Sequence, residues 1–329
     1  MRYRTLGNSG VTMSVIGFGL WTVSTDWWEA DNAEAIHLLQ SALDLGITFY
    51  DTADTYGNGR GEELLAEALG HRRDDIIIAT KFGYDIVNTA AQRDGHGELP
   101  QDWSPVAVRA ACEASLRRLR TDHIDYYQLH NPRIEAIQDD ALWATLADLQ
   151  QEGKVRTVGV ALGPALKPDR QIPEGRAAII ERGAHPHIID NLLEPQLGEA
   201  LFPLGREHGV GFVVRVPHSS GLLEGHYTAE TTFPAGDHRN HRPRSWLLEG
   251  VQKVAQLRFL ERADRTLGQA ALQWLLHESA VTGVLPNIYN AAQLAEFAAA
   301  PETPALTEAE LARVHTLVAS NFGLQPVQA

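Results

Sequence analysis

The stretch TFYDTADTYG, residues 48–57, carries two groups able to move a proton, Asp51 and Tyr56. A short aromatic and β-branched run ends on the carboxylate. The turn beyond it delivers the phenol into a loop punctuated by Gly57 and Gly59. Two later runs end in the same way: IIIAT (76–80) ends on Lys81, and IDYYQL (124–129) ends on His130. A tyrosine, with a reference pKa near ~10, is a poor acid at neutral pH. A nearby ammonium favours its phenolate, and a carboxylate beside that ammonium keeps it charged and in place. An imidazole can donate to a carbonyl oxygen and orient it. Such a set protonates an oxygen that is becoming an alkoxide, or deprotonates an alcohol in reverse. None of the four is a nucleophile paired with an activating base, so acyl transfer fits poorly. Taken alone, each has a plain structural use as turn former, loop aromatic, ion-pair partner or satisfied histidine. Their weight lies in occurring together at the ends of successive strands.

The elements that must position them alternate regularly. Two short runs flank Gly7-Asn8-Ser9-Gly10 and read as an N-terminal β-hairpin within residues 1–14. Strands then read at 15–20, 48–52, 76–81, 124–130, 155–161, 187–192, 211–217 and 280–286. Helical spacing of apolar residues reads between them, at 31–46, 60–69, 105–119, 134–152, 175–183, 197–208, 246–261, 266–278 and 290–299. Ser104 before Pro105 is a helix start, and Thr307 with Glu310 is a capping box opening a last helix over 307–320. The strands are short and nearly all apolar, as parallel strands covered on both faces are. Eight strand–helix alternations at this length predict an α/β fold, a closed (β/α)8 TIM barrel, with residues 1–329 as one domain. The segment 218–263 breaks the rhythm as a long mouth loop with an extra helix. In such a barrel Asp51, Lys81 and His130 end strands two, three and four. Topology therefore brings them and Tyr56 to one side of the C-terminal mouth.

Composition narrows the function. Lys+Arg 28 against Asp+Glu 42 gives a net charge of -14. That charge argues against nucleic acid or an anionic membrane as a general partner, because phosphate attraction needs a positive field. The single cysteine, Cys112, rules out an internal disulfide and a cysteine-based zinc site, and its helical spacing marks it as a packing residue. No apolar run reaches the ~18–20 residues of a membrane span. The N-terminus has no apolar signal-peptide core. A soluble cytoplasmic protein acting on a small molecule, of unspecified oligomeric state, is the expectation.

Several motifs resemble the aldo-keto reductases: GFGLW (17–21), YDTADTYGNGRGEELLAEAL (50–69), ATKFG (79–83), SLRRLRTDHIDYYQLHNP (115–132), GKVRTVGV (153–160), GLLEGHY (221–227) and AALQWLL (270–276). The resemblance runs in order from about residue 2 to 320. It implies a barrel that binds a nicotinamide cofactor, NADP or NAD, across its mouth and transfers hydride to or from a carbonyl carbon, without a metal. By position it makes Tyr56 the general acid, Lys81 the group that eases its ionisation, Asp51 the partner of Lys81, and His130 the orienter of the carbonyl. It places Gly19, Trp21, Asp51, Pro217, Ser219, Gly221, Leu222 and Gln293 around the cofactor. Trp21 and Trp28, with neighbouring Trp27, are candidate walls of a pocket for an aldehyde, ketone, sugar or alcohol.

The cofactor side departs from the family pattern. The usual Ser-Asn after strand five is here Ala161-Leu162. His187 and Asp190 stand near the usual Gln and stacking aromatic. After strand eight, Asn287, Tyr289, Gln293 and Phe297 stand where a phosphate-binding Arg or Lys and its neighbours usually lie, and only the Gln is kept. The loss of that cation weakens discrimination for a 2′-phosphate. His238, Arg239, His241 and Arg242 are candidate replacements. Two alternatives to a working oxidoreductase therefore stand. One is a cofactor- or ligand-binding barrel with little turnover, acting as sensor or partner subunit, as in the related potassium-channel β subunits. The other is a non-redox lyase or isomerase using Tyr56 and Lys81 for proton transfer.

Overall fold

The computed structural model describes residues 1–25, 31–86 and 98–324. Among them, two strands form an antiparallel hairpin, β1 (Tyr3–Thr5) and β2 (Thr12–Ser14). Eight more form one parallel sheet whose spatial order follows the sequence: β3 (Gly17–Gly19), β4 (Phe49–Asp51), β5 (Ile77–Phe82), β6 (Ile124–His130), β7 (Val155–Ala161), β8 (His185–Ile189), β9 (Phe212–Arg215) and β10 (Val281–Leu285). Ile16 bridges Val284 in parallel, and the Val284 amide donates to Val15 O at 2.9 Å. That contact joins the first strand to the last and makes the sheet a nearly closed barrel, with helices covering the strands outside.

Alternation along the strands sorts the side chains into layers. Phe49, Ala79, Tyr126, Val213 and Leu285 point into the barrel, and Leu6, Val11 and Met13 of the hairpin pack against them. The hairpin therefore plugs the N-terminal end. Two residues further along four of these strands, the inward positions turn polar: Asp51 after Phe49, Lys81 after Ala79, Gln128 after Tyr126, and Arg215 after Val213; on β8, His187 is a buried polar residue at the same level. The outward residues join the main core under the helices, where Cys112 is buried and its thiol pKa is pushed up to about 12. Cys112 is thus a packing residue.

The helices begin where local chemistry allows. Ser104 Oγ accepts from the Ala107 amide, with Pro105 at the first helical position of Pro105–Leu119. Thr307 and Glu310 close a capping box on Glu308–Ala319, and Thr266 with Gln269 closes another on Leu267–His277. Some boundaries differ from the periodicity. The helix expected over 134–152 is two, Ile134–Ile137 and Asp140–Gln151, because Asp139 is extended and its carboxylate starts a new helix by accepting from Ala141 N. The helix expected around 175–183 is Pro168–Ile180, where a proline suits the first turn. The helix expected over 246–261 is Arg244–Leu257, followed by a tight turn at Arg258–Leu260. The long mouth segment packs its own small core of Leu222, Leu223, Leu247, Val254 and Leu257 against Leu267 and Ala271. No helix among the described residues is long and apolar enough to cross a membrane.

Candidate active site

The strand ends and the loop after β4 bring Asp51, Tyr56, Lys81 and His130 to one rim. Lys81 is 2% exposed, and its ammonium donates to Asp51 Oδ1 at 2.6 Å, Thr52 O at 2.7 Å and Tyr56 Oη at 3.3 Å. An ammonium carries three protons, so all three are spent. Burial is the largest single influence on Lys81 and pulls its pKa down. Asp51 and Tyr56 together outweigh it and raise the pKa, which keeps the lysine charged. The Lys81 Nζ also lies 4.8 Å from the centre of the Tyr56 ring. Because Tyr56 Oη accepts from Lys81, its own O–H remains to donate into the mouth. The His130 ring stands edge-on to Tyr56 at 6.2 Å and to Tyr84 at 5.1 Å between ring centres. Gln101 Nε2 donates to His130 O at 3.0 Å and fixes the backbone behind the ring.

Beneath them lies a polar chain that the sequence reading missed. Gln128 Nε2 donates to Asp51 Oδ2 at 3.1 Å, and Gln128 Oε1 lies 2.9 Å from His187 Nδ1. The carbonyl can only accept, so Nδ1 carries the proton and the His187 lone pair is on Nε2. That nitrogen is buried and has no hydrogen-bond partner among the described residues. Burial, then the charges of Lys81, Arg215 and His130, hold the His187 pKa well below the ordinary range, so the ring is neutral. The signal for Gln128 was present: a polar residue inside an apolar strand, two before His130 and therefore on the same inward face. Arg215, at the end of β9, carried the same signal through its parity with Val213. Its Nη2 donates to Leu162 O at 2.8 Å.

A second cavity opens beside the mouth, with a volume of about 230 Å³. It is lined by Val216, Pro217, His218, Ser220 and Gly221 on one side, by Asn287, Tyr289, Asn290 and Gln293 on the other, and by Glu224, Tyr227 and Arg239. Ser219, Ser220 and Gly221 have left-handed φ values of 45°, 57° and 96°. Such turns gather backbone N–H groups into anion-binding concavities. Gln293 Nε2 donates to Glu224 Oε2 at 2.9 Å, while its Oε1 accepts from Tyr289 N at 3.0 Å. Burial raises the pKa of Glu224. Arg239 lines the cavity, but it is paired with Asp237 and donates to Tyr227 Oη.

Other sequence-predicted residues fall as follows. Pro217, Gly221, Arg239 and Gln293 meet at this cavity, with Tyr289 and Asn287. The Ser219 hydroxyl is taken by Glu194 Oε2 at 3.0 Å, and the Leu222 side chain is buried in the small core. Gly19 ends β3, and Trp21 opens the short helix Trp21–Ser24. Ala161 and Leu162 are buried at the end of β7. Asp190 is buried, and its Oδ1 accepts from Gly198 N at 2.9 Å; burial raises its pKa well above the usual carboxylate range. Phe297 stacks at 4.6 Å on His218. Arg242 faces Glu194 at 3.7 Å and the Trp246 ring. Trp27 and Trp28 lie outside the described residues, and the side chains of His238 and His241 are likewise outside them. Among the described residues, no group of three or more His, Cys, Asp or Glu is placed to hold a metal ion.

Comparison with known proteins agrees with this fold. A family model described as the aldo/keto reductase family matches residues 15–319. The chain is 31% identical over 318 residues to the uncharacterized oxidoreductase YqkF of Bacillus subtilis (strain 168), covering 94% of each. It is 27% identical to a probable voltage-gated potassium channel subunit beta of Arabidopsis thaliana, covering 97% of each. The holo form of aldo-keto reductase AKR11C1 from Bacillus halodurans matches it with a TM-score of 0.77 at 31% identity, covering 96% of both chains.

Proposed function

The chain belongs to the aldo/keto reductase family, and on that premise we propose that its barrel mouth interconverts a carbonyl and an alcohol with Tyr56 as the proton-transfer group. The carrying observation is the Lys81 ammonium, buried and shared between Asp51 and Tyr56 Oη. A bound reduced nicotinamide supplies the hydride that reaches the carbonyl carbon. Tyr56 gives its O–H proton to the carbonyl oxygen as negative charge gathers there. The phenolate left behind sits 3.3 Å from the Lys81 ammonium, which neutralises it. Asp51 holds that ammonium charged and aimed. His130, edge-on to Tyr56, is placed to donate to the same carbonyl oxygen and fix its direction. In reverse, the phenolate takes the alcohol proton.

The second cavity fits the rest of a dinucleotide. In the turn at Pro217–Gly221 the Ser219 and Gly221 amides bond to Val216 O and His218 O, so backbone donors to a pyrophosphate would come from His218 and Ser220, and Gln293, Asn287 and Asn290 offer neutral hydrogen-bonding groups to an adenosine. Glu224 suits a ribose diol as an acceptor. Arg239, already paired with Asp237, is a weak magnet for a further phosphate. This cavity therefore supports NADH binding at least as strong as that of NADPH.

Titration of the protein with NADH and NADPH, followed by fluorescence and then by turnover on aldehydes, ketones and sugars, tests the reading. Binding with turnover supports it. Binding without turnover favours the sensor or partner-subunit reading. The buried Ala161-Leu162 pair, with no polar side chain to offer a carboxamide, is the observation on that side. Failure to bind either cofactor sinks both.

A further inference from the structure

The catalytic mouth contains one cation that the proposed proton chemistry does not use. Arg215 ends β9 and points inward, two residues beyond Val213 of the barrel interior. Its register partners are Ile189 on β8 and Leu285 on β10, both apolar. Of its five N–H groups, one makes a short bond, Nη2 to Leu162 O at 2.8 Å. Its other contacts, to Pro164 O, are long at 3.4 Å and 3.5 Å. All these partners are neutral carbonyls, and no carboxylate pairs with it among the described residues. Gly163 makes room for the group: a Cβ there would overlap both Arg215 Nη2 and Asn131 Oδ1. Arg215 thus sits across the loop after β7 from the residue that follows His130. Burial is the largest influence on the guanidinium and pulls its pKa down. The charges of Tyr56, Asp51 and Tyr84 push it up, in that order.

A half-buried guanidinium without a counter-ion is a costly feature unless an anion completes it. The cofactor pyrophosphate is a poor candidate. The dinucleotide cavity begins at Val216, whose left-handed φ of 58° turns the chain away from the barrel interior, and Arg215 does not line that cavity. An anion that reaches both Arg215 and Tyr56 must sit in the substrate mouth. A planar fork matches a carboxylate best.

Resting on the oxidoreductase reading above, we propose that Arg215 anchors the carboxylate of the substrate, so that the preferred substrates are oxo acids and the matching hydroxy acids, with the reacting carbonyl held at Tyr56 and His130. The anchor leaves the reaction's balance unchanged. Hydride still reaches the carbonyl carbon, the Tyr56 proton still reaches the oxygen, and the carboxylate takes no part in bond making.

Two measurements decide it. The first is kcat/KM for glyoxylate and succinic semialdehyde against their neutral counterparts glycolaldehyde and butanal, in wild type, R215M and R215K. Loss of a charge-assisted bidentate contact is expected to lower the acid-to-neutral ratio about 10- to 100-fold in R215M. The neutral substrates and the cofactor dissociation constant should be nearly unchanged, and R215K should recover part of the ratio. An equal fall for acids and neutral compounds, or a weakened cofactor, overturns the assignment. The second is calorimetric titration with oxamate, an unreactive carboxylate. Binding to wild type but not to R215M supports the anchor, and equal binding or none in both overturns it. Because the oxamate titration needs no turnover, it decides on Arg215 even if every carbonyl compound is left unreduced, an outcome that would refute the oxidoreductase reading alone.

Discussion

Gln128 offers a stringent test of how the site is held. It is fully buried and bonds Asp51 Oδ2 at 3.1 Å and His187 Nδ1 at 2.9 Å, two atoms that stand 3.8 Å apart, beyond hydrogen-bond reach of each other in the present geometry. Gln128→Leu keeps roughly the same bulk and removes both bonds. An unsatisfied buried polar group costs about 1–3 kcal/mol, and more if charged, so the pair predicts a loss of about 2–6 kcal/mol. Against a total stability of about 5–15 kcal/mol this is large. In urea, with an m-value near 3 kcal/mol/M, the midpoint should fall by roughly 1–2 M. The second effect is on chemistry. With Oδ2 released, Asp51 no longer holds Lys81 against Tyr56 in one geometry, and a misplacement of this kind is expected to lower kcat about 10- to 100-fold. The sharper signature is non-additivity. Gln128→Leu with His187→Leu removes the stranded imidazole N–H as well, so the double variant should recover about 1–3 kcal/mol of the single variant's loss. A Gln128→Leu protein within about 0.5 kcal/mol of wild type, or a double variant less stable than the sum of the two singles, would refute the reasoning.

Three further outcomes follow from the same geometry. Tyr56→Phe removes the proton donor but leaves the dinucleotide cavity intact, so carbonyl reduction should disappear while cofactor affinity, read by fluorescence titration, stays nearly the same; retained turnover would remove Tyr56 from the acid role. Asp237→Asn frees the guanidinium of Arg239 in that cavity, so NADPH should gain affinity relative to NADH by about 10-fold, as for one charge-assisted contact; an unchanged ratio would take Arg239 out of cofactor selection. His218, buried and hydrogen-bonded to Gly268 O at 3.1 Å, has its pKa lowered to about 4 by burial. Its unfolded form takes up a proton below about pH 6.5, while the folded form does not until about pH 4. The neutral ring therefore stabilises the fold fully above pH 6.5, and that contribution is lost as pH falls towards 4. Between pH 7.5 and 5.5 the stability advantage of wild type over His218→Gln should shrink by about 1.3 kcal/mol in denaturant titrations; a constant difference would place the titration elsewhere.

The barrel was legible because its signals are local and repeated. Strands that are apolar on both faces and helices with capped starts each declare themselves within about ten residues, and eight repeats overdetermine the topology. Where one cue conflicted with another, the boundary moved: Asp139 ended a continuous helical pattern by capping the next helix. The four candidate residues were legible for a related reason. Asp51, Lys81 and His130 lie at or near strand ends, where parity alone sends them inward, and Tyr56 lies in the loop just after Asp51. The same parity argument, carried to β6 and β9, singles out Gln128 and Arg215. They were passed over because a glutamine inside a strand and an arginine before a loop have ordinary structural uses.

The cofactor side was illegible for a different physical reason. Its groups come from segments far apart in sequence, and their chemistry depends on pairing that no spacing reveals. Arg239 read as a free cation, yet Asp237 two residues earlier holds it. Ser219 read as a neighbour of the cofactor, yet Glu194, 25 residues before it, takes its hydroxyl. Leu222 read as part of a binding loop, and its side chain is core. A charge count credits every arginine equally. Among the described residues the structure separates them by counter-ion, leaving Arg239 neutralised at the cavity beside the mouth and Arg215 without a carboxylate partner at the end of β9. If charge guides what this barrel selects, it does so through the part of the ligand that meets Arg215. Substrate acidity, more than the 2′-phosphate of the cofactor, is then the property on which specificity turns.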